Sequence, residues 1–216
     1  NAQMPLIIAG RAWTSARSFE ALAKLAHNAA IPVTSGAHPN IASDHPMNLG
    51  PVTAKLLQAA DVIVVLESAV PWMPHHMQPN ASAKIIHIAH DPLFSTYPLR
   101  SFPSSLTIAG DPGTAVELLD GLLDARLRNK SAIVDARRKT ISDIHLELVN
   151  ARKATIASLR GRAPISPALV ADALNQVRDK SAIVVDELGS GYHYLDMHRH
   201  DGFITGSSGG LGMGLG

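Results

Sequence analysis

Pro5-Leu-Ile-Ile-Ala-Gly10 and Ile31-Pro-Val-Thr-Ser-Gly36 are short apolar runs, each closed by glycine. Between them Phe19, Leu22, Ala23 and Ala26 recur at the i, i+3, i+4, i+7 spacing of one helix face. Thr14 or Ser15 stands where such a helix takes its N-cap. Strand, helix, strand is a βαβ unit, and its right-handed crossover makes the two strands parallel. Helices then cover both faces of the sheet, which is why the runs are continuously apolar rather than alternating. A single glycine follows the first run, so the G-x-G-x-x-G dinucleotide fingerprint is absent.

The pattern repeats outward from this unit. Val52 to Ala60 reads as a short helix and Val62-Ile-Val-Val-Leu66 as a strand. Lys84-Ile-Ile-His-Ile-Ala-His-Asp-Pro92 reads as a further strand, and Ser105-Leu-Thr-Ile-Ala-Gly110 as the last of the set. Asp111 caps the next helix with Pro112 at its first position, and Leu118, Leu119, Leu122 and Leu123 form its apolar stripe. About five strands and three helices up to residue 127 make a complete parallel-sheet α/β domain, 1–127.

Arg126 to Arg162 differs, with ten Lys/Arg set against Asp135, Asp143 and Glu147. The spacing predicts a helix from about Ser131 to Leu159, ended by Gly161 and Pro164, serving as a basic interdomain linker over 128–163. A basic helix can bind nucleic acid or an acidic membrane surface. No aromatic residue interleaves with these charges and the whole chain carries only +1, which argues for a solvated face.

A second α/β domain opens at residue 164: Ser166 caps, Pro167 starts a helix, and Leu169, Val170, Ala173, Leu174 and Val177 form one face. Ala182 to Val185 has the composition of a buried parallel strand, and the polar turn Asp-Glu-Leu-Gly-Ser-Gly191 follows it. Strand ends of this kind gather anions, because free backbone N–H groups and the next helix dipole point outward there. The helix expected next carries His193, His198 and His200, at a spacing that matches no metal signature. Gly206 to Gly216 holds six glycines in eleven positions, interleaved with Leu211, Met213 and Leu215. Linkers seldom carry large apolar side chains, so this reads as a buried segment whose backbone approaches a ligand closely.

Composition bounds what these elements can do. The 216 residues are 46% hydrophobic, 17% charged and 4% aromatic, the mark of an alanine-rich globular chain packed with small aliphatics. Without cysteine there is neither disulfide nor thiolate chemistry, and the compartment leans to the cytoplasm. No apolar run approaches the roughly 20 residues that span a membrane. Asn1-Ala2 opens without a charged or apolar leader and is consistent with the remnant of a cleaved tag.

The apolar strand, Glu187, small residues and then Ser-Gly-Gly-Leu-Gly-Met-Gly214 resemble the start of the diphosphate-binding domain of thiamine diphosphate-dependent enzymes. The nearest branches are the acetolactate synthase-like and benzoylformate decarboxylase-like ones. His45-Pro-Met-Asn-Leu-Gly50, the Asp91-Pro92 strand end and Pro164-Ile-Ser-Pro167 also resemble this family. The resemblance implies a Rossmann-like (DHS-like) central domain, a linker helix and the first elements of the next α/β domain. It implies cofactor contacts at Leu188, Gly189, Ser190 and Gly191 for the diphosphate, and at Gly209, Gly210 and Leu211 for the aminopyrimidine. Leu211 would be the aliphatic wedge that bends the cofactor. Mg²⁺ would be held by a Gly-Asp-Gly…Asn motif, and the proton on the pyrimidine by a glutamate, neither of which falls within residues 1–216. In the decarboxylase branch a loop histidine reaches the active site, and His75 or His76 falls at that place. The acetolactate synthase Arg-Phe-Asp-Asp loop that seats FAD is replaced by Val70 to Pro79, so FAD is not expected. The whole enzyme would act on 2-keto acids as a homodimer or homotetramer, by carboligation or decarboxylation, with no nucleic-acid or membrane partner. These residues alone would be inactive. The alternative is a free-standing nucleotide-fold binding module without catalysis.

Overall fold

The computed structural model describes residues 2–11, 15–36, 38–187 and 191–205. In chain order the elements are β1 (Pro5–Ala9), α1 (Ala16–Ala29), β2 (Val33–Ser35), α2 (Ala54–Ala59), β3 (Val62–Leu66), β4 (Lys84–Ala89) and β5 (Leu106–Ala109). Then follow α3 (Pro112–Leu127), α4 (Ser131–Leu159), α5 (Pro167–Val177), β6 (Val184–Asp186) and β7 (Phe203–Thr205).

β1 to β5 form one all-parallel sheet in the order β2-β1-β3-β4-β5. All five residues of β1 are buried, as a central strand covered on both faces must be. Alternate residues serve opposite cores. Ile7 and Ala9 pack with Leu22, Leu25 and Ala26 of α1 and with Val116 of α3. Leu6 and Ile8 pack with Leu57 of α2, Ile63, Val65 and Trp72. The chain therefore winds outward from β1 in both directions, and β1/β3 is the point where the winding reverses.

Local chemistry explains the helix limits. The Ser15 hydroxyl accepts from the Ser18 amide at 3.2 Å, Thr53 from Leu56 at 3.3 Å, and Asp111 from Thr114 at 2.6 Å. α3 departs from the expected stripe: Val116 and Asp120 are buried, Leu119 and Leu123 are partly buried, and Leu118 and Leu122 are 64% and 59% exposed. Asp120 is buried toward α1 and pairs with Lys24 at 3.0 Å, so a polar residue takes up part of the buried face. The sequence pattern alone had assigned all four leucines to it.

α4 spans the range that the spacing predicts, but its basic residues are only partly solvated. Arg137 donates to the Ala29 carbonyl at 2.6 Å, to Ala30 at 2.8 Å and to Ala2 at 3.2 Å. Arg138 donates to the His27 carbonyl at 3.1 Å. The two arginines satisfy the carbonyls left over where α1 ends.

Beyond α4, β6 and β7 pair in parallel, and Phe203 packs with Ala171 of α5, Leu195 and Met197. Residues 192–194 form a single 3-10 turn in place of the expected longer helix. Met197 ties this region to the first sheet: its carbonyl accepts from the Ser43 amide at 2.7 Å and its amide donates to the Ser43 hydroxyl at 2.8 Å.

Candidate ligand cleft at the switch point

A cleft of about 410 Å³ opens at the C-terminal ends of β1, β2 and β3. Diverging crossovers leave this space uncovered. Its floor is a close crossing of two backbones. The Gly10 amide donates to the Leu66 carbonyl at 2.8 Å and the Arg11 amide to the Glu67 carbonyl at 3.0 Å. A Cβ on Gly10 would lie 2.2 Å from the Glu67 oxygen, so only glycine fits there. Glu67 itself takes φ +43°, a left-handed conformation unusual for this residue type.

Two polar pairs frame the cleft. Arg11 Nε donates to His38 Nε2 at 2.9 Å, so that imidazole nitrogen carries the lone pair and the ring is neutral. Burial first, and the neighbouring Arg11 charge second, push the His38 pKa below its ordinary value. Arg11 forms no ion pair among the described residues, so its positive charge remains available to a ligand. On the other side Glu67 Oε2 accepts from the His90 amide at 2.9 Å and lies 3.0 Å from His90 Nδ1. His90 Nε2 lies 3.6 Å from Asp111, whose pKa is lowered chiefly by the Thr114 amide it caps. Trp72, Met73, Met77, Phe94 and Tyr97 supply the apolar walls. Arg11 and these apolar walls suit a small molecule that carries an anionic group. Neither Arg11 nor His38 belongs to a motif that marks a site in the sequence. Gly10-Arg11 at a strand end was the available signal.

The sequence-predicted residues fall elsewhere. His75 and His76 are both exposed, on a turn whose His76 amide donates to the Met73 carbonyl at 2.9 Å, and neither lines the cleft. Gly191 stands at φ +85°, where a Cβ would meet the Pro167 carbonyl at 3.0 Å. Leu188, Gly189, Ser190, Gly209, Gly210 and Leu211 lie outside the described residues. The His193 ring lies against Tyr192, tilted by 42° with centroids 3.8 Å apart, while His198 lies 3.5 Å from Asp44 and His200 3.9 Å from Asp201. The three therefore have separate neighbours. Among the described residues no group of three or more His, Cys, Asp or Glu is placed to hold a metal.

A doubly wound parallel sheet with a cleft at its switch point defines a nucleotide-fold α/β domain. Residues 1–119 match the family model of the thiamine pyrophosphate enzyme central domain, and the chain belongs to that family. Among solved structures it resembles a thiamin diphosphate-dependent enzyme isolated from Mycobacterium smegmatis, at 20% identity and TM-score 0.68 over 98% of this chain. It also resembles a thiamine diphosphate-dependent 4-hydroxybenzoylformate decarboxylase of Rhodococcus jostii, at 18% identity and TM-score 0.66 over 99% of this chain. The chain spans 40% of the length of each. No curated protein matches it.

Proposed function

We propose that residues 1–216 are the central domain and the opening of the diphosphate-binding domain of a thiamine diphosphate-dependent enzyme. The intact protein would decarboxylate or ligate 2-keto acids and work as an oligomer with Mg²⁺ and without FAD. The observation that carries this reading is the central-domain match over residues 1–119, joined in one chain to Ser-Gly-Gly-Leu-Gly-Met-Gly at 208–214.

Gly191 supports the cofactor assignment. It follows parallel strand β6 in a left-handed conformation, φ +85°, which favours glycine and suits a backbone that comes close to an anion. With Leu188, Gly189 and Ser190 it would hold the diphosphate, and Gly209, Gly210 and Leu211 would hold the aminopyrimidine. When bound, the cofactor supplies a carbanion sink for decarboxylation. The part of this chain is to bind and bend it and, through His75 or His76, to carry a proton at the substrate.

The test uses the gene-length protein with thiamine diphosphate, Mg²⁺ and a panel of aliphatic and aromatic 2-keto acids. Cofactor-dependent CO₂ release is expected, and Leu211→Ala should lower kcat by roughly one to two orders of magnitude because bound geometry is lost. Its melting temperature should fall less than after truncation of a core leucine. Absence of cofactor-dependent turnover, or a large stability loss with unchanged kcat, overturns the assignment.

A further inference from the structure

Residues 90–105 link β4 to β5, and Arg100 lies beneath them. Its Nε donates to the Ala69 carbonyl at 3.1 Å and its Nη2 to the Ser68 carbonyl at 3.2 Å. The guanidinium carbon sits 4.4 Å from the Phe94 ring centroid and 5.1 Å from that of Phe102. Ser68 and Ala69 line one wall of the switch-point cleft, and Phe94 and Tyr97 line the other. One side chain thus fastens two walls together.

His87 lies under this fastening and is only 2% exposed. Its Nε2 is 3.2 Å from the Pro103 carbonyl, which can only accept, so Nε2 carries the proton. The Nδ1 lone pair therefore faces Arg100 Nη2, at 3.4 Å. We propose that residues 90–103 are a lid on the switch-point cleft, latched by Arg100 to the Ser68 and Ala69 carbonyls over a neutral His87, and that protonation of His87 releases it.

A proton on Nδ1 removes the acceptor and sets a second cation against the guanidinium. Little around the pair offsets that. Val65 of β3 and Thr107 of β5 flank His87 in the sheet. Tyr97 is the other titratable group acting on Arg100. Glu67 faces His90 and Asp91 holds Ser95, so neither serves Arg100. Burial first, and the Arg100 charge besides, push the His87 pKa below its ordinary value, while the Pro103 carbonyl pulls the other way. The neutral ring is thus favoured in the folded state. The latch holds at neutral pH and is lost as pH falls through the lowered folded value. Phe102 packs edge-on to Trp72 with centroids 5.2 Å apart and anchors the far end, while Leu93 and Leu99 at the tip are 72% and 87% exposed.

Hydrogen exchange of the purified chain at about pH 7.5 and about pH 5.5, either side of the ordinary histidine range and corrected for intrinsic rates, tests this. Amides of residues 93–102 should lose protection several-fold on acidification, because the open form takes up the proton before the latched one. Arg100→Ala should show the loss at both pH values. His87→Gln offers an N–H to Pro103 and an oxygen to Arg100 but cannot be protonated, so it should keep protection at both. Unchanged wild-type protection, or acid loss persisting in His87→Gln, overturns the proposal. Should that variant fail to fold, ¹⁵N spectra of the wild-type side chains decide. The Nε2–H tautomer, with the Arg100 Nε–H signal lost as His87 is protonated, supports the latch. The opposite tautomer, or an Arg100 signal that survives protonation, refutes it.

Discussion

Gly10 carries the floor of the cleft. Two backbones cross there, and the atom that a Cβ would strike, at 2.2 Å, is the Glu67 carbonyl oxygen rather than a side chain that could rotate away. Glu67 is held from three directions, by its amide on the Ile88 carbonyl at 2.9 Å, by its carbonyl on Arg11 and by its carboxylate on His90. Gly10→Ala must therefore push β1 and β3 apart at the switch point. Overpacking of a tight site costs about 1–3 kcal/mol and occasionally more, and this contact is with backbone, so about 3 kcal/mol or more is expected. Urea unfolding should show the midpoint lowered with the slope unchanged. Gly36 makes a contrast. A Cβ there meets nothing within 4 Å, and Gly36→Ala should leave the midpoint nearly where it was.

At the scale of the element, α4 shows how far a composition-based reading can go. Its lack of interleaved aromatics and the chain's net charge of only +1 favour a solvated face over a nucleic-acid surface. They do not reveal that Arg137 reaches four backbone carbonyls, those of Ala2, Gln3, Ala29 and Ala30, and so binds the chain's first residues to the end of α1. Burial lowers the Arg137 pKa. A half-buried fork of this kind depends on its hydrogen-bond geometry as much as on its charge. Arg137→Ala should cost about 2 kcal/mol, in the range for hydrogen bonds to a charged group. Arg137→Lys should recover less than half of that, because one ammonium cannot span the same acceptors. Full recovery by lysine in urea titrations would mean that attraction to the α1 dipole is the whole effect. No local pattern announces this contact, since its partners lie 107 and more positions away.

Over the whole molecule, α1, the 36–50 segment and α4 meet at three histidines. His45 Nδ1 accepts from the Met47 amide at 3.1 Å, and its ring stands edge-on to His27 with centroids 6.4 Å apart. His145 of α4 reaches the Asn48 carbonyl at 2.7 Å. Burial first, then the charges of His27 and His145, push the His45 pKa below its ordinary value, against the opposing pull of Asp44 and the Ala23 carbonyl. The folded state thus prefers neutral His45, and the unfolded chain takes up its proton first as pH falls. Stability is held above the ordinary histidine pKa and declines as pH drops toward the lowered folded value. His45→Gln should lose less stability than the wild type between about pH 7.5 and about pH 5.5 in urea titrations at the two pH values, either side of the histidine range. An equal loss in both would assign the acid sensitivity to other groups.

The amino-acid sequence by itself determined the parallel α/β class, the number of strands before residue 127, the caps at Asp111 and Ser166, and the extent of α4. These depend on near neighbours: an apolar run needs cover on both faces, and a capping oxygen acts on an amide two or three residues on. It also carried the family, through motifs written in consecutive residues. Strand order, the cleft between β1 and β3, and the partners of Arg11, His87, Arg100 and Arg137 were decided only by the tertiary structure. Arg11 and His38 are 27 positions apart, and Arg100 and Ser68 are 32 apart. Which of many equivalent polar groups meet across such separations is set by how the helices pack on the sheet, and sequence spacing carries no record of that. His75 and His76 were placed by resemblance alone, and the structure adds only that both are exposed on the turn that follows Met73.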